Sequence, residues 1–282
     1  MTDYTVTGSI VTFNNISTIE AALRTTREQT KGVPFHLYVI DNSSKDGTAD
    51  FVKRVDPLAE VMRIPWNVGF GAGHNLVLPK LTSKYHVIIN PDIELAEDAI
   101  TKMALYMDEH PDVVMLSPRI VFPETHENQI LGKRNPSVRY LAASRLRRGK
   151  RAQEILAEYA MLEHDMTEPF EIENATGCFM VVRTDVLQKI GGFDERYFLY
   201  FEDCDITRVL AKEGRVLYYP HAVVEHVWKR ESKKNIVLML VQIQSMMKYF
   251  WKWRRAGERR AKAKHHGRGV VGEMGEMGEV KN

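Results

Sequence analysis

From Val6 to about Met107, short continuous apolar runs alternate with stretches whose apolar residues recur at helical spacing. Val6 to Phe13 reads as a buried strand ending at Asn14-Asn15. Ser17 and Glu20 then stand at capping-box spacing and predict a helix to about Gln29. Phe35 to Ile40 is a second strand running into Asp41-Asn42-Ser43-Ser44-Lys45-Asp46-Gly47-Thr48, a loop dense in turn and cap residues. Val61 to Ile64 predicts a third strand, after which Asn67-Val68-Gly69-Phe70-Gly71-Ala72-Gly73-His74-Asn75 leads into a helix. Tyr85 to Ile89 is a fourth strand reaching Asn90-Pro91-Asp92, and Ile100, Met103 and Met107 mark the next helix. Strands alternating with helices imply a parallel α/β sheet with right-handed crossovers. Such sheets bind ligands at the carboxyl ends of their strands, so the loops after Phe13, Ile40, Ile64 and Ile89 are expected to converge on one crevice.

The pattern weakens from Pro123 to Phe170, where Arg139, Arg145, Arg147, Arg148, Lys150 and Arg151 form a basic stretch and Glu154 to Leu162 reads as a helix. This is either a substrate-facing insertion or an ordinary solvated helix with long basic side chains. Order returns with Glu173 to Val182, a helix from Thr184 to Ile190, an acidic segment, a helix to about Glu213 and a strand at Val216 to Tyr219. Asn235 to Arg255 then reads as a helix whose Ile236, Leu240, Ile243 and Met247 share one face with Phe250 or Trp251. The end, Gly272 to Glu279, is of low complexity and is expected to be disordered.

At 282 residues, 44% hydrophobic and 27% charged, the chain can bury a full core. Cys178 and Cys204 are too few for a disulfide framework or a cysteine-rich zinc site, which fits a reducing compartment and small buried side chains. No signal segment and no apolar run of membrane-spanning length is expected. The formal charge of +2 hides an asymmetry. Lys229 to Arg268 holds 13 Lys and Arg against Glu231 and Glu258, a net +11, while the remaining residues sum to −9. Such an arm is expected to meet something anionic.

Gly191-Gly192-Phe193-Asp194-Glu195, followed by Phe201-Glu202-Asp203-Cys204-Asp205, packs acids around a glycine turn among Tyr197, Phe198, Tyr200 and Phe201. Carboxylates desolvated there hold protons more tightly and suit a general base, whereas acids in a first helical turn also serve simply as caps. Asp41, at the end of a buried strand, can accept the imide N–H of uracil or thymine, or can cap its own turn. The glycines from Gly69 to Gly73 lack dinucleotide-fingerprint spacing; they let backbone approach a ligand or a helix pack close. Asp92 can share a hard divalent cation with a diphosphate, and His226, following a strand, can complete the sphere.

Together these motifs resemble family 2 glycosyltransferases of the GT-A fold, particularly a bacterial rhamnosyltransferase-like branch. The resemblance spans roughly Val6 to Ser232 and rests on Val39-Ile40-Asp41-Asn42-Ser43-Ser44 with Asp46-Gly47-Thr48, Asn67-Val68-Gly69-Phe70, Asn90-Pro91-Asp92, Thr176-Gly177-Cys178, the Gly191 to Glu195 turn and Tyr200 to Asp205 with Arg208. It implies a Rossmann-like mixed, mostly parallel sheet over residues 1–232, with 123–170 as a variable acceptor-side insertion. Residues 233–265 then form a basic helical extension, and 266–282 a disordered tail. It further implies an inverting, metal-dependent transfer from a nucleotide-diphosphate sugar to a glycan or polyprenyl-linked saccharide in cell-surface polysaccharide synthesis. By resemblance, Asp203 is the base, with Glu202 beside it. Thr12, Phe13, Asn14, Asp41, Asn67, Gly69 and Asn75 line the nucleotide. Asp92 and His226 hold manganese or magnesium, with Asn90 where many relatives carry an acid. Thr176, Gly177 and Asp205 face the acceptor or sugar, Asp205 alternatively pairing with Arg208.

The branch favours deoxythymidine-diphosphate rhamnose, with uridine-diphosphate hexoses or N-acetylhexosamines as the alternative. A nucleotidyltransferase is the enzymatic rival, although Thr12-Phe13-Asn14-Asn15-Ile16 lacks its basic glycine loop. A nucleotide-sugar-binding or nucleic-acid-binding module is the other rival, and it leaves the Glu202-Asp203 pair without a purpose; no nucleic-acid partner is expected. The expected location is cytoplasmic, at the inner face of the membrane, with Asn235 to Arg255 lying on lipid or packing on the protein or on a second copy.

Overall fold

The computed structural model describes residues 5–146, 149–227 and 236–272. The amino-terminal half follows the apolar periodicity closely. Strands β1 (Val6–Thr12), β2 (Phe35–Asp41), β3 (Glu60–Arg63) and β4 (Tyr85–Ile89) alternate with helices α1 (Ile19–Gln29), α2 (Thr48–Val55) and α3 (Phe70–Asn75). These strands pair in parallel in the order β3-β2-β1-β4. They read as continuous apolar runs because both faces are covered. On one face Ile10, Val39 and Ile89 pack under Leu23 of α1 and under Met103 and Met107 of α4 (Ala99–Glu109). On the other, Val11, Ile40 and Ile88 join Leu187, Ile206 and Leu210.

The second half makes the sheet mixed. Strand β6 (Val113–Val121), a strand the periodicity does not announce, pairs in parallel with β9 (Arg215–His226) through an irregularity between Pro118 and Arg119. Between β4 and β6, β8 (Phe179–Arg183) inserts antiparallel to both, while the two-residue strands β5 (Ile93–Glu94) and β7 (Phe170–Glu171) pair antiparallel with β9. The whole sheet runs β3-β2-β1-β4-β8-β6-β9-β5.

Three helix expectations are corrected. α1 begins one residue later than a Ser17/Glu20 box requires; its cap position is Thr18, whose hydroxyl donates to the carbonyl of Asn15. The insertion carries two helices, α5 (Val138–Leu146) and α6 (Lys150–Tyr159), rather than one from Glu154 to Leu162, and Arg147 and Arg148 lie outside the described residues. After α7 (Thr184–Lys189) and α8 (Glu202–Leu210), the carboxy-terminal helix α9 (Ile236–Gly272) continues into the stretch expected to be a tail; 273–282, and with them Glu273 to Glu279, lie outside the described residues, as do Lys229, Arg230, Lys233 and Lys234. α9 docks by Tyr249 and Trp253 against Tyr197, Phe201 and Cys204, leaving Ile236, Leu240 and Met247 exposed. Among the described residues, no helix is long and apolar enough to cross a membrane.

Candidate active site

Parallel register sets Thr12 opposite Asp41, so the ends of β1 and β2 present two buried polar side chains together. The loops beyond are stitched by side chains. The Asn14 N–H donates to Ser44 Oγ (2.9 Å) and Asn14 Oδ1 accepts from the Lys45 N–H (2.8 Å). Phe13, half-exposed, stands at the rim. Asn42, which carried no role in the sequence reading, joins this edge to the glycine loop. Its Nδ2 donates to the Gly69 carbonyl (3.0 Å) and its Oδ1 accepts from the Val68 N–H (2.9 Å). Thr12, Phe13, Asn14, Asp41, Asn67 and Gly69 therefore share one edge of the sheet.

Gly69 has φ +94°, and a Cβ there would meet the carbonyl oxygen of Phe198 at 2.2 Å. No other residue fits this approach without moving backbone. The Phe70 N–H donates to the same carbonyl (2.9 Å), so the glycine loop rests on the segment before the acidic pair. Asn75, expected beside the nucleotide, is instead bonded to the Gly192-Phe193 turn. Its Nδ2 donates to the Phe193 carbonyl (2.9 Å) and to Glu195 (3.0 Å), and its Oδ1 accepts from the Phe193 N–H (2.8 Å). It holds the Gly192-Phe193 turn in place.

The two distant acidic turns meet through a single stretch of backbone. The Asn90 N–H donates to the Cys178 carbonyl (2.8 Å), and the Gly177 N–H donates to Asp203 Oδ2 (3.1 Å). Cys178 lies between them: burial, then the charges of Asp92 and Asp203, push its thiol well above the ordinary range. Pairing of β5 with β9 places Ile93 opposite His226, bringing His226 Nε2 to 3.5 Å from Asp92 Oδ1. Gln129 Oε1 lies 3.2 Å from His226 Nδ1, and its Nε2 donates to the His226 carbonyl (2.7 Å). If Nδ1 carries the proton toward Gln129, Nε2 faces Asp92 as a free lone pair, the tautomer a metal ligand needs. Gln129 has no motif that marks it in the sequence.

Asp92 Oδ1 and Asn90 Oδ1 are both buried without a hydrogen-bond partner. Two orphaned oxygens and an oriented imidazole are a donor set that fits manganese or magnesium. Among the described residues no three His, Cys, Asp or Glu side chains converge on one point. A cleft of about 450 Å³ opens beside this pair, bordered by Ser17, Thr18, Arg24, Asp92 and Glu94, a volume suited to a small molecule.

Tyr200 (φ 70°) and Phe201 (φ 66°) both occupy the left-handed region just before α8. Consecutive non-glycine residues there are strained and need surrounding structure to hold them. Asp203 is half-buried and oriented from both sides, accepting from the Gly177 N–H and, at 2.7 Å, from the Cys204 N–H. Burial raises its pKa and outweighs these bonds. Glu202 is almost fully buried with Oε2 unpartnered; desolvation first, and then the charge of Asp203, hold its proton well above the usual range. Thr176 is half-buried beside Gly177.

Asp205 does not face an acceptor. Its Oδ1 accepts from Trp253 Nε1 (2.9 Å) and its Oδ2 from Lys252 Nζ (2.6 Å), so it anchors α9. Nor does it pair with Arg208, whose guanidinium lies 4.1 Å from the Trp253 ring centroid. These anchors come from residues some 50 positions away, with no local signal.

A mixed, mostly parallel sheet covered by helices on both faces and followed by a carboxy-terminal helix defines a nucleotide-diphospho-sugar transferase, or GT-A, fold. The model for "Glycosyl transferase family 2" matches residues 9–191, and the chain belongs to that family. It is 27% identical over 214 residues to an N-acetylglucosaminyl-diphospho-decaprenol L-rhamnosyltransferase of Mycobacterium tuberculosis, an alignment covering 68% of this chain and 66% of that protein. Two solved structures share the fold. One is the mannosyltransferase PcManGT from Pyrobaculum calidifontis in complex with GDP-Man and Mn2+ (TM-score 0.61, 18% identity, 90% of this chain and 65% of that one). The other is S. aureus TarS in complex with UDP (TM-score 0.56, 17% identity, 86% and 65%).

Proposed function

We propose that this protein is an inverting glycosyltransferase that moves a sugar from a nucleotide-diphosphate donor to a hydroxyl of a lipid-linked saccharide in cell-wall polysaccharide synthesis. One observation carries the reading. The Asp92–His226 pair and Asp203 flank the same two residues, Gly177 and Cys178, with the nucleotide edge at Thr12 and Asp41 across the sheet.

Asp203 takes the proton of the acceptor hydroxyl as that oxygen attacks the anomeric carbon and the bond to the diphosphate breaks; the anomeric configuration inverts, with no covalent enzyme intermediate. The two backbone donors hold the carboxylate in one orientation before substrate arrives. Asp41 reads an imide N–H of the base, beside Thr12, Phe13, Asn14, Asn67 and Gly69. Asp92 and His226, with Asn90 Oδ1, would hold manganese or magnesium, which when bound neutralises charge on the departing diphosphate.

Similarity to an L-rhamnosyltransferase supports deoxythymidine-diphosphate rhamnose as donor and a polyprenyl-diphosphate saccharide as acceptor. Uridine-diphosphate hexoses are the second reading, because both bases carry the imide that Asp41 accepts. The enzyme works at the cytoplasmic face of the membrane. The test is a thermal-shift screen of nucleotide sugars with and without manganese or magnesium, followed by transfer to a polyprenyl-diphosphate saccharide. A metal-dependent rise in melting temperature with deoxythymidine-diphosphate rhamnose is expected. If no nucleotide sugar stabilises the protein or is consumed, the proposal fails.

A further inference from the structure

The two helices of the insertion are joined along their inner side. Tyr140 of α5 donates to Glu158 of α6 (2.7 Å) and stacks on Tyr159 (ring centroids 4.7 Å apart), while Arg139 pairs with Glu158 (2.8 Å). With Tyr140 and Ala143 turned inward, helical spacing puts Val138, Ala142 and Leu146 together on another face. All three are exposed, Val138 by 73% and Leu146 by 70%. An apolar stripe turned to solvent marks a surface that another surface covers.

The stripe is flanked by cations. Arg145 adjoins Leu146, and Lys150 and Arg151 open α6 just beyond it. All three are exposed and, among the described residues, none has a carboxylate partner; Glu154, one turn past Lys150, pairs with none of them. This combination selects the partner. An acidic polymer satisfies the cations and leaves the stripe bare. A second copy docked by the same face covers the stripe but sets cations against cations. An anionic lipid surface takes both, with phosphates for the cations and the acyl boundary for the stripe.

We propose that the outer face of the α5–α6 hairpin, formed by Val138, Ala142, Leu146, Arg145, Lys150 and Arg151, is a docking surface for an anionic lipid bilayer. The hairpin stands next to α9: Leu141 packs against the cluster that holds Tyr249 and Trp253, and the exposed Ile236, Leu240 and Met247 of α9 give a second contact. Two weak contacts on one body multiply, so loss of either is expected to release the protein. On its inner side the hairpin reaches the acidic pair, because burial and then the charges of Cys204 and Asp203 push the Tyr159 hydroxyl well above its ordinary range. Docking by the outer face therefore sets the Asp203 side of the fold toward the bilayer.

The test uses the full chain and phosphatidylcholine vesicles with and without phosphatidylglycerol, read by flotation. The parent protein is expected to float with the anionic vesicles only. Arg145→Glu combined with Lys150→Glu and Arg151→Glu is expected to weaken that binding by about a hundredfold or more, and Val138→Glu with Leu146→Glu by about tenfold or more, both with unchanged melting temperature. Both native cysteines are buried, so an environment-sensitive fluorophore on Leu146→Cys reports this face alone; its emission is expected to shift to the blue on anionic vesicles. The proposal is overturned if the parent does not float, if it floats equally with neutral vesicles, if either multiple variant floats like the parent, or if the emission does not move. It is equally overturned if sedimentation velocity shows this face joining two copies. No step uses a nucleotide sugar, so failure here leaves the glycosyltransferase reading untouched.

Discussion

Asp203 and Glu202 are neighbours in sequence with different surroundings, and their behaviour should divide accordingly. Asp203, held by two backbone N–H groups, is the base of the proposed reaction; Asp203→Asn keeps the shape and is expected to cut turnover by roughly 10²–10⁴ while leaving nucleotide binding nearly intact by calorimetry. Its raised pKa is expected to move the acidic limb of the pH–rate profile upward. Glu202 is a stability liability. The unfolded chain releases its proton near the ordinary value while the folded state retains it, so stability is lost as pH rises above that value. Glu202→Gln is therefore expected to raise the melting temperature at pH 8 more than at pH 5, at about 2–4 °C per kcal/mol recovered; an equal change at both pH values would argue against a protonated buried carboxyl. The positions of Asp41, Asp92 and Asp203 in the fold were legible because each sits where a strand ends or a helix begins. Asn75 and Asp205 were misassigned because a polar side chain beside a motif carries no mark of whether backbone, another helix or a ligand will satisfy it.

At the scale of elements, α9 matters most. Its apolar residues recur at helical spacing on two faces, and periodicity alone favoured Ile236, Leu240, Ile243 and Met247. The packed face carries Ser245, Tyr249 and Trp253 instead, because those side chains satisfy groups on the acidic segment: Ser245 Oγ donates to the Leu199 carbonyl (2.8 Å) and Trp253 Nε1 to Asp205. Trp253→Ala removes a large buried ring and leaves Asp205 one donor short, a loss of about 3–5 kcal/mol from packing alone. Faster hydrogen exchange in both α8 and α9, with reduced turnover, is the expected result. Unchanged exchange in α8 would show that α9 does not brace it. β6 was missed for a related reason: Pro118, beside a register irregularity, interrupts the apolar run that otherwise marks a strand.

At the scale of the whole molecule, the exposed stripe of α9 lies on a chain whose charge is segregated. Leu240 and Met247 are 59% and 64% exposed, within the arm that carries the excess of Lys and Arg. An exposed apolar stripe in a segment of basic sequence suits an anionic lipid surface. Leu240→Glu with Met247→Glu is expected to abolish co-sedimentation with vesicles containing phosphatidylglycerol without lowering the melting temperature. Retained sedimentation would assign the stripe to something other than lipid.

Apolar period and turn chemistry by themselves determined the parallel half of the sheet, the edge where its strands end, and the acidic residues that stand there, since these follow from local burial and backbone preference. Tertiary structure alone decided that Gly177 and Cys178 join two turns over 100 residues apart, that Gln129 orients His226, and that Asp205 serves α9. Such pairings depend on strand order, register and the demand that every buried polar atom find a partner, and no window of neighbouring residues contains that information.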